Sequence, residues 1–317
     1  MNLLAGALAS FVAVSATAFG PVATPVNIFG DGEPANGVED NRQQLPGGRG
    51  RGVSLADQGT HTGTVFCDGK VRGTAMVIDT REYAPGLEGA VLASAAHVIY
   101  DLDKKRRFKN CEFHFLALGE ISRYRARIDL KQVSMGGFDP HRSASGLTFG
   151  EGDWVFLYVP EPWRNFDTRT ALPLRDFAFA TTEAFQHSGG EFRLVAFDSS
   201  TGAMSVSTDC TVIESRAGDL GGGQWDGQLL DDCDSAGGAS GGGIVAVLDD
   251  HQYLIGIRNG SHWSAQAYPA NQYPQGPPNG SVWDRRSNTN FGRAIDQDMI
   301  RELEKFCKKL KNKNNNI

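Results

Sequence analysis

The stretch CDSAGGASGGGIVAVL, Cys233 to Leu248, decides how the rest of the chain is read. Five glycines, Gly237, Gly238, Gly241, Gly242 and Gly243, crowd around Ser240, and an apolar β-type run, Ile244 to Leu248, follows at once. Glycine at this density marks a backbone that needs dihedrals closed to other residues, or one that must be approached closely. Gly238-Ala239-Ser240-Gly241-Gly242 satisfies G-x-S-x-G, so Ser240 is a candidate nucleophile. A serine hydroxyl is a poor nucleophile near neutral pH and needs a base within hydrogen-bond reach, itself oriented by a third group. The downstream histidines His251 and His262 come from loop-like sequence, and no helix pattern follows Ser240. The partners therefore have to be sought upstream.

Both are there. His97 closes AVLASAAH, where a buried-strand run from Ala90 gives way to small residues, and Asp153 opens DWVFLYV, an acid set before a strongly β-forming run. Histidine, then aspartate, then serine is the chain order of the double-barrel serine peptidases, whereas an α/β-hydrolase esterase would run serine, acid, histidine. The segments around His97, Asp153 and Ser240 resemble the signatures of the chymotrypsin/trypsin-like serine peptidases, closest to the bacterial trypsin-like and glutamyl-endopeptidase-like members. The resemblance spans residues 60 to 305. It implies two antiparallel six-stranded β-barrels with a C-terminal α-helix. It also implies a hydrolase in which Ser240 attacks, His97 is the base, Asp153 orients it, and the N–H groups of Gly238 and Ser240 form the oxyanion hole. Two positions depart from the trypsins. Ala239 stands where they carry an acid before the nucleophile, and Ala96 where many carry a cysteine. Both departures match the bacterial branch.

The resemblance gives two opposed cues about specificity. Asp234 lies six residues before Ser240, where trypsins place the acid of the primary pocket, and Ser235 continues that match. Arg258, in YLIGIR, falls where glutamyl endopeptidases carry a histidine that receives an acidic side chain. If both side chains faced the pocket they would pair with each other; alternatively Asp234 points away, toward loop backbone, and Arg258 alone governs the pocket. The two-residue match favours Arg or Lys before the scissile bond.

With 317 residues, 40% hydrophobic and 21% charged, the chain is long enough for two compact units and has an ordinary globular composition. A net charge of -6 argues against nucleic acid as a partner. The expected partner is a protein or peptide substrate, acted on by a monomer, with no cofactor, metal or membrane. Residues 1–18 form an apolar stretch without a charged side chain that ends Ala16-Thr17-Ala18, and read as a secretory signal despite lacking Lys or Arg at the start. Export, to the outside or to a periplasm, suits the five cysteines. Cys67 with Cys111 flank the histidine segment and Cys210 with Cys233 frame the approach to Ser240, so these are the expected disulfides, leaving Cys307 free.

Residues 19–58, rich in Gly, Pro, Asn, Arg and Gln, read as a pro-segment or flexible linker with cleavable sites at Arg49 and Arg51. The first barrel is expected over 59–165, from GTVFC, GTAMVID, AVLASAAHV, CEFHFLAL, RYRARIDL and DWVFLYV. The second is expected over 166–291, from FAFAT, FRLVAF, AMSVSTDCTVIES, QLLDDC, GIVAVL and YLIGIR, and a helix and tail over 292–317. Ile295, Met299, Ile300, Leu303, Phe306 and Leu310 give that helix its apolar face. His61, His114, His141, His187, His251 and His262 read as solvated loop histidines, and Asn259-Gly260-Ser261 and Asn279-Gly280-Ser281 as glycosylation sequons, meaningful only in a eukaryotic secretory pathway. A catalytically silent relative serving as a binding module is the alternative to an active serine endopeptidase.

Overall fold

The computed structural model describes residues 26–30, 40–45, 61–115, 125–141, 152–161, 171–217, 219–220 and 227–314. The signal segment, Arg49 and Arg51 lie outside the described residues.

Two curled antiparallel sheets carry the chain. The first has seven strands, in the spatial order Arg125–Arg127, Cys111–Phe115, Thr62–Cys67, Lys70–Ile78, Ala90–Ser94, Val155–Val159 and Val133–Met135. Six were expected, and all six are found. The seventh, Val133–Met135, comes from the long loop before Asp153 and pairs with Val155–Leu157. Its three side chains are all only half-buried, which is why it carries no apolar alternation to read.

The second sheet has eight strands, ordered Val212–Glu214, Gln228–Asp231, Asn288–Ala294, His251–Trp263, Gly243–Leu248, Glu191–Asp198, Ala203–Ser207 and Arg42–Gln44. Here the expectation needs three corrections. FAFAT is a 3-10 turn, Phe177–Thr181, not a strand, because the Asp176 side chain accepts the Ala178 N–H and the Phe177 N–H is taken by the Ile295 carbonyl. The segment AMSVSTDCTVIES breaks into two strands at Asp209, whose φ of 57° turns the chain. Asn288–Ala294 is a fully buried central strand although its sequence is NTNFGRA. Polar bonds inside the protein hold it there: the Asn290 side chain donates to the Cys233 carbonyl at 2.7 Å, and the Arg293 backbone N–H donates to Asn259 Oδ1 at 2.9 Å.

At the residues described, the segment expected as a pro-segment or loose linker pairs with strands from the second half of the chain. Val26–Asn27 pairs with Ser235–Ala236, Phe29–Gly30 runs parallel to Ser281–Val282, and Arg42–Gln44 forms the eighth strand against Ser205–Ser207. Arg42 reaches the buried Asp198 carboxylate at 2.8 Å.

Both expected disulfides are present. Cys67–Cys111 closes a separation of 44 residues and Cys210–Cys233 one of 23, each worth about 2–4 kcal/mol through the unfolded chain. Cys307 is free and buried. It lies on the terminal helix Gln297–Asn314, capped by Asp296, whose carboxylate accepts the Met299 N–H at 2.8 Å. Met299, Leu303, Phe306, Cys307 and Leu310 bury into the core of the first sheet, each apolar side chain contributing about 1.5–3 kcal/mol. Asn314 at the far end donates to the Tyr158 hydroxyl. The chain thus returns from the second sheet to close the first, and the two sheets are tied from both ends. Among the described residues no helix is long and apolar enough to cross a membrane.

Candidate active site

The two sheets meet where Thr74 faces the glycine stretch. The Thr74 N–H donates to the Ser240 carbonyl at 2.8 Å, and its hydroxyl donates to the Gly238 carbonyl at 2.9 Å while accepting the Phe197 N–H at 2.9 Å. From the neighbouring strand the Ser94 hydroxyl donates to the Thr74 carbonyl at 2.7 Å. Packing this close explains the glycines. Gly238 has φ +91°, and a Cβ there would meet the Phe197 ring at 2.7 Å; Gly241 has φ +81°, and a Cβ there would run into Ser94 and the Thr74 backbone. No residue with a side chain fits either place without strain.

His97 sits in a short 3-10 turn, Ala96–Ile99, that follows the buried strand Ala90–Ser94. Asp153 is fully buried and precedes the strand Val155–Val159, which pairs with Ala90–Ser94. That pairing brings the two side chains together. The His97 Nδ1 lies 2.7 Å from Asp153 Oδ2, and the His97 backbone N–H donates to Asp153 Oδ1 at 2.9 Å. A carboxylate gripping both the ring and the backbone of a histidine holds one tautomer, with Nε2 turned away as an acceptor.

Ser240 is linked to this pair through Asn259. The Ser240 hydroxyl donates to the Asn259 carbonyl at 3.4 Å, and Asn259 Nδ2 donates to the Asp153 carbonyl at 2.8 Å. Asn259 is 2% exposed, so the sequon reading fails: the amide is committed to the interior. Sequence reasoning passed over this residue as a structural link, and its only signal was its place directly after Arg258. Among the described residues neither the Gly238 N–H nor the Ser240 N–H donates to a backbone carbonyl. Both residues line a cavity of about 250 Å³, together with Ser235, Arg258, Ser261 and Trp263.

The two residues that carry the cues about specificity are placed differently. Asp234 is 3% exposed and does not line the cavity; its Oδ1 accepts the Phe29 N–H at 2.9 Å and its Oδ2 the Asn41 N–H at 2.8 Å. Burial pushes its carboxyl up to about 6, against those two bonds. The expectation of an Arg- or Lys-selecting acid at Asp234 is therefore corrected: that carboxylate anchors the N-terminal segment. Ser235 does line the cavity.

Arg258 is the largest fully buried side chain among the described residues. Its Nη2 donates to the buried Asp231 at 2.6 Å, while Nε and Nη1 have no acceptor. Burial lowers the Arg258 pKa, opposed by Asp231. Buried donors of a charged group left without acceptors are costly and rare, and call for an explanation in terms of what enters beside them.

The other histidines divide. His61 is buried with no partner at Nε2, and burial pushes its ring down to about 3, so it is a neutral core residue rather than a solvated one. His114 stacks on Phe66 at 3.9 Å in the strand Cys111–Phe115. The His262 ring is half-buried, which lowers its pKa. His141, His187 and His251 are exposed. Among the described residues no group of three or more His, Cys, Asp or Glu side chains is arranged to hold a metal ion.

No family model matches the sequence, and neither does any curated protein. Among solved structures, that of a Glu endopeptidase in complex with MPD matches with a TM-score of 0.51 and 11% identity, covering 84% of this chain and 96% of that one. The fold is chymotrypsin-like. At this identity the likeness carries the fold alone, with the two half-barrel sheets and the terminal helix as the sequence resemblance implies. The chymotrypsin-like arrangement puts His97 and Asp153 at the ends of strands of the first sheet and Ser240 in the turn before a strand of the second, with the cavity beside Ser240.

Proposed function

We propose that the protein is an exported serine endopeptidase that hydrolyses peptide bonds through an acyl-enzyme, and that it prefers an acidic side chain before the scissile bond. The observation that carries the reading is the 2.7 Å contact between His97 Nδ1 and Asp153 Oδ2, at the junction that also holds Ser240. Ser240 attacks the scissile carbonyl as His97 Nε2 takes its proton. The tetrahedral oxyanion is met by the N–H groups of Gly238 and Ser240, each such donor being worth about 10²–10³ in rate. His97, now charged and steadied by Asp153, hands the proton to the leaving amine, and water then releases the acyl group by the same route in reverse.

The acidic preference is supported by Arg258 at the cavity, whose Nε and Nη1 have no acceptor, so the guanidinium keeps donors for an acidic side chain. The neighbouring solved structure is named for Glu, which is consistent with it. Export is supported by the two disulfides, which persist in oxidising compartments.

Matched peptides differing only in Glu, Gln, Phe or Arg before the scissile bond test the reading. Glu is expected to give the highest kcat/KM, by tenfold or more over Gln, and Arg258→Met to remove that advantage while Phe cleavage survives. An enzyme that prefers Arg, or one whose Glu preference outlasts the loss of Arg258, would overturn the acidic pocket.

A further inference from the structure

We infer that Arg258 and Asp231 act as one specificity-determining unit, in which Asp231 restrains the pocket's preference for a carboxylate side chain. The inference rests on the endopeptidase reading above and goes beyond it. An isolated buried arginine would offer a full positive charge to any acid that entered. Here the charge is already half-spent. Arg258 Nη2 donates to Asp231 Oδ1 at 2.6 Å, and both residues are all but inaccessible. The pair as a whole is neutral, so a substrate carboxylate gains a remaining guanidinium donor but little net charge.

Asp231 is only lightly held by anything else. Its Oδ1 also accepts the Cys233 N–H at 3.0 Å, and its Oδ2 has no partner. Just past the end of its strand the next charge is Asp232, whose carboxylate accepts the Thr211 N–H at 2.6 Å. From the strand Asn288–Ala294, Asn290 lies opposite Asp231, and Thr289 gives its hydroxyl to the Asp231 backbone carbonyl at 3.4 Å. Arg293, farther along that strand, pairs with Asp296. From the strand Val212–Glu214, Val212 faces Asp231. From the strand His251–Trp263 comes Arg258 itself. Among the described residues Arg258 is therefore the cation that faces the Asp231 carboxylate.

The arrangement predicts a pH dependence with a definite sign. Burial raises the Asp231 carboxyl to about 6, with Arg258 pulling the other way. Between pH 7 and pH 5 Asp231 takes up a proton and Arg258 is left uncompensated. A glutamate side chain in a peptide, with an ordinary pKa of about 4.3, stays ionised over that span. Preference for Glu over Gln should therefore rise as pH falls. Because the ratio compares two substrates on one enzyme, any pH effect that scales both rates alike cancels from it.

The experiment measures kcat/KM on the full chain for two peptides that differ only in Glu or Gln before the scissile bond, at pH 5, 6, 7 and 8. In the wild type the Glu/Gln ratio is expected to climb several-fold from pH 7 to pH 5. In Asp231→Asn, which keeps the Oδ1 acceptor and removes the charge, the ratio at pH 7 should be higher by about tenfold or more and flat with pH, as removal of one unit charge within ~10 Å of the bound carboxylate implies. A ratio that Asp231→Asn leaves unchanged or lowers would overturn the inference. If that variant does not fold, the wild type decides alone: a flat ratio from pH 8 to pH 5 overturns it as well. A wild type that cleaves peptides without preferring Glu fails the acidic pocket instead. One that cleaves nothing fails the endopeptidase reading.

Discussion

Replacing Thr74 with valine isolates the contact on which the junction of the two sheets depends. Thr74 is wholly buried, and its hydroxyl serves two groups of the second sheet at once, accepting the Phe197 N–H and donating to the Gly238 carbonyl, both at 2.9 Å. Valine keeps the β-branch and the volume but leaves both groups unpaired in a dry interior. A stranded buried polar group costs about 1–3 kcal/mol, so a loss of about 2–6 kcal/mol is expected for the two. The same change frees Gly238, one of the two proposed oxyanion donors. Complete loss of such a donor costs about 10²–10³ in kcat; partial loosening should cost about tenfold, with KM little altered. Urea titration followed by tryptophan fluorescence gives the first quantity and steady-state hydrolysis of a Glu peptide the second. Thr74→Ser, which restores the hydroxyl and gives up only a methyl group, should recover most of the rate. A valine variant within about 0.5 kcal/mol of the wild type and of wild-type kcat would refute the role assigned to this hydroxyl.

Two further consequences are open to direct measurement. Asp234→Ala strands the Phe29 and Asn41 N–H groups, so residues 26–30 and 40–45 should exchange amide hydrogens faster while Arg peptides stay as poor as before; unchanged protection, or a change in selectivity toward Arg, would count against the anchoring role. Burial pushes the Cys307 thiol up from 9.0 to about 12, so at pH 8 its thiolate fraction and its reaction with Ellman's reagent should fall about a thousandfold below those of an ordinary thiol. One equivalent should react in urea, and fast labelling of the native protein would contradict that placement.

How much of this was legible in the sequence follows from where each signal came from. The strands that hold His97, Asp153 and Ser240 are uninterrupted apolar runs, AVLAS, VFLYV and GIVAVL, whose pattern survives without knowledge of any partner. Asn288–Ala294 gave no such pattern, because its interior position is made tolerable by bonds to Cys233, Asn259 and Asp296. FAFAT has the composition of a strand, and what makes it a turn is the Asp176 cap together with a bond to Ile295 far along the chain.

The same limit governs specificity. Asp234 and Arg258 were both legible as pocket candidates, but which side chain faces the cavity depends on acceptors and donors elsewhere. Asp234 is claimed by N–H groups 205 and 193 residues away, in a segment whose composition reads as a linker. Arg258 is claimed by Asp231, 27 residues off, which no motif distinguishes from its neighbours. His61 likewise looks like a loop residue by sequence and is buried by its place at the start of the Thr62–Cys67 strand.

The central claim is that Ser240 is a nucleophile activated by His97 and Asp153. A fluorophosphonate reacts with such a serine and ignores ordinary hydroxyls, so the decisive measurement is the intact mass and peptide map of the protein after exposure to one. The account predicts a single adduct on Ser240, none on Ser240→Ala, and labelling slowed by orders of magnitude in His97→Ala. A folded wild-type protein that takes up no label, or takes it up at a residue other than Ser240, would contradict it.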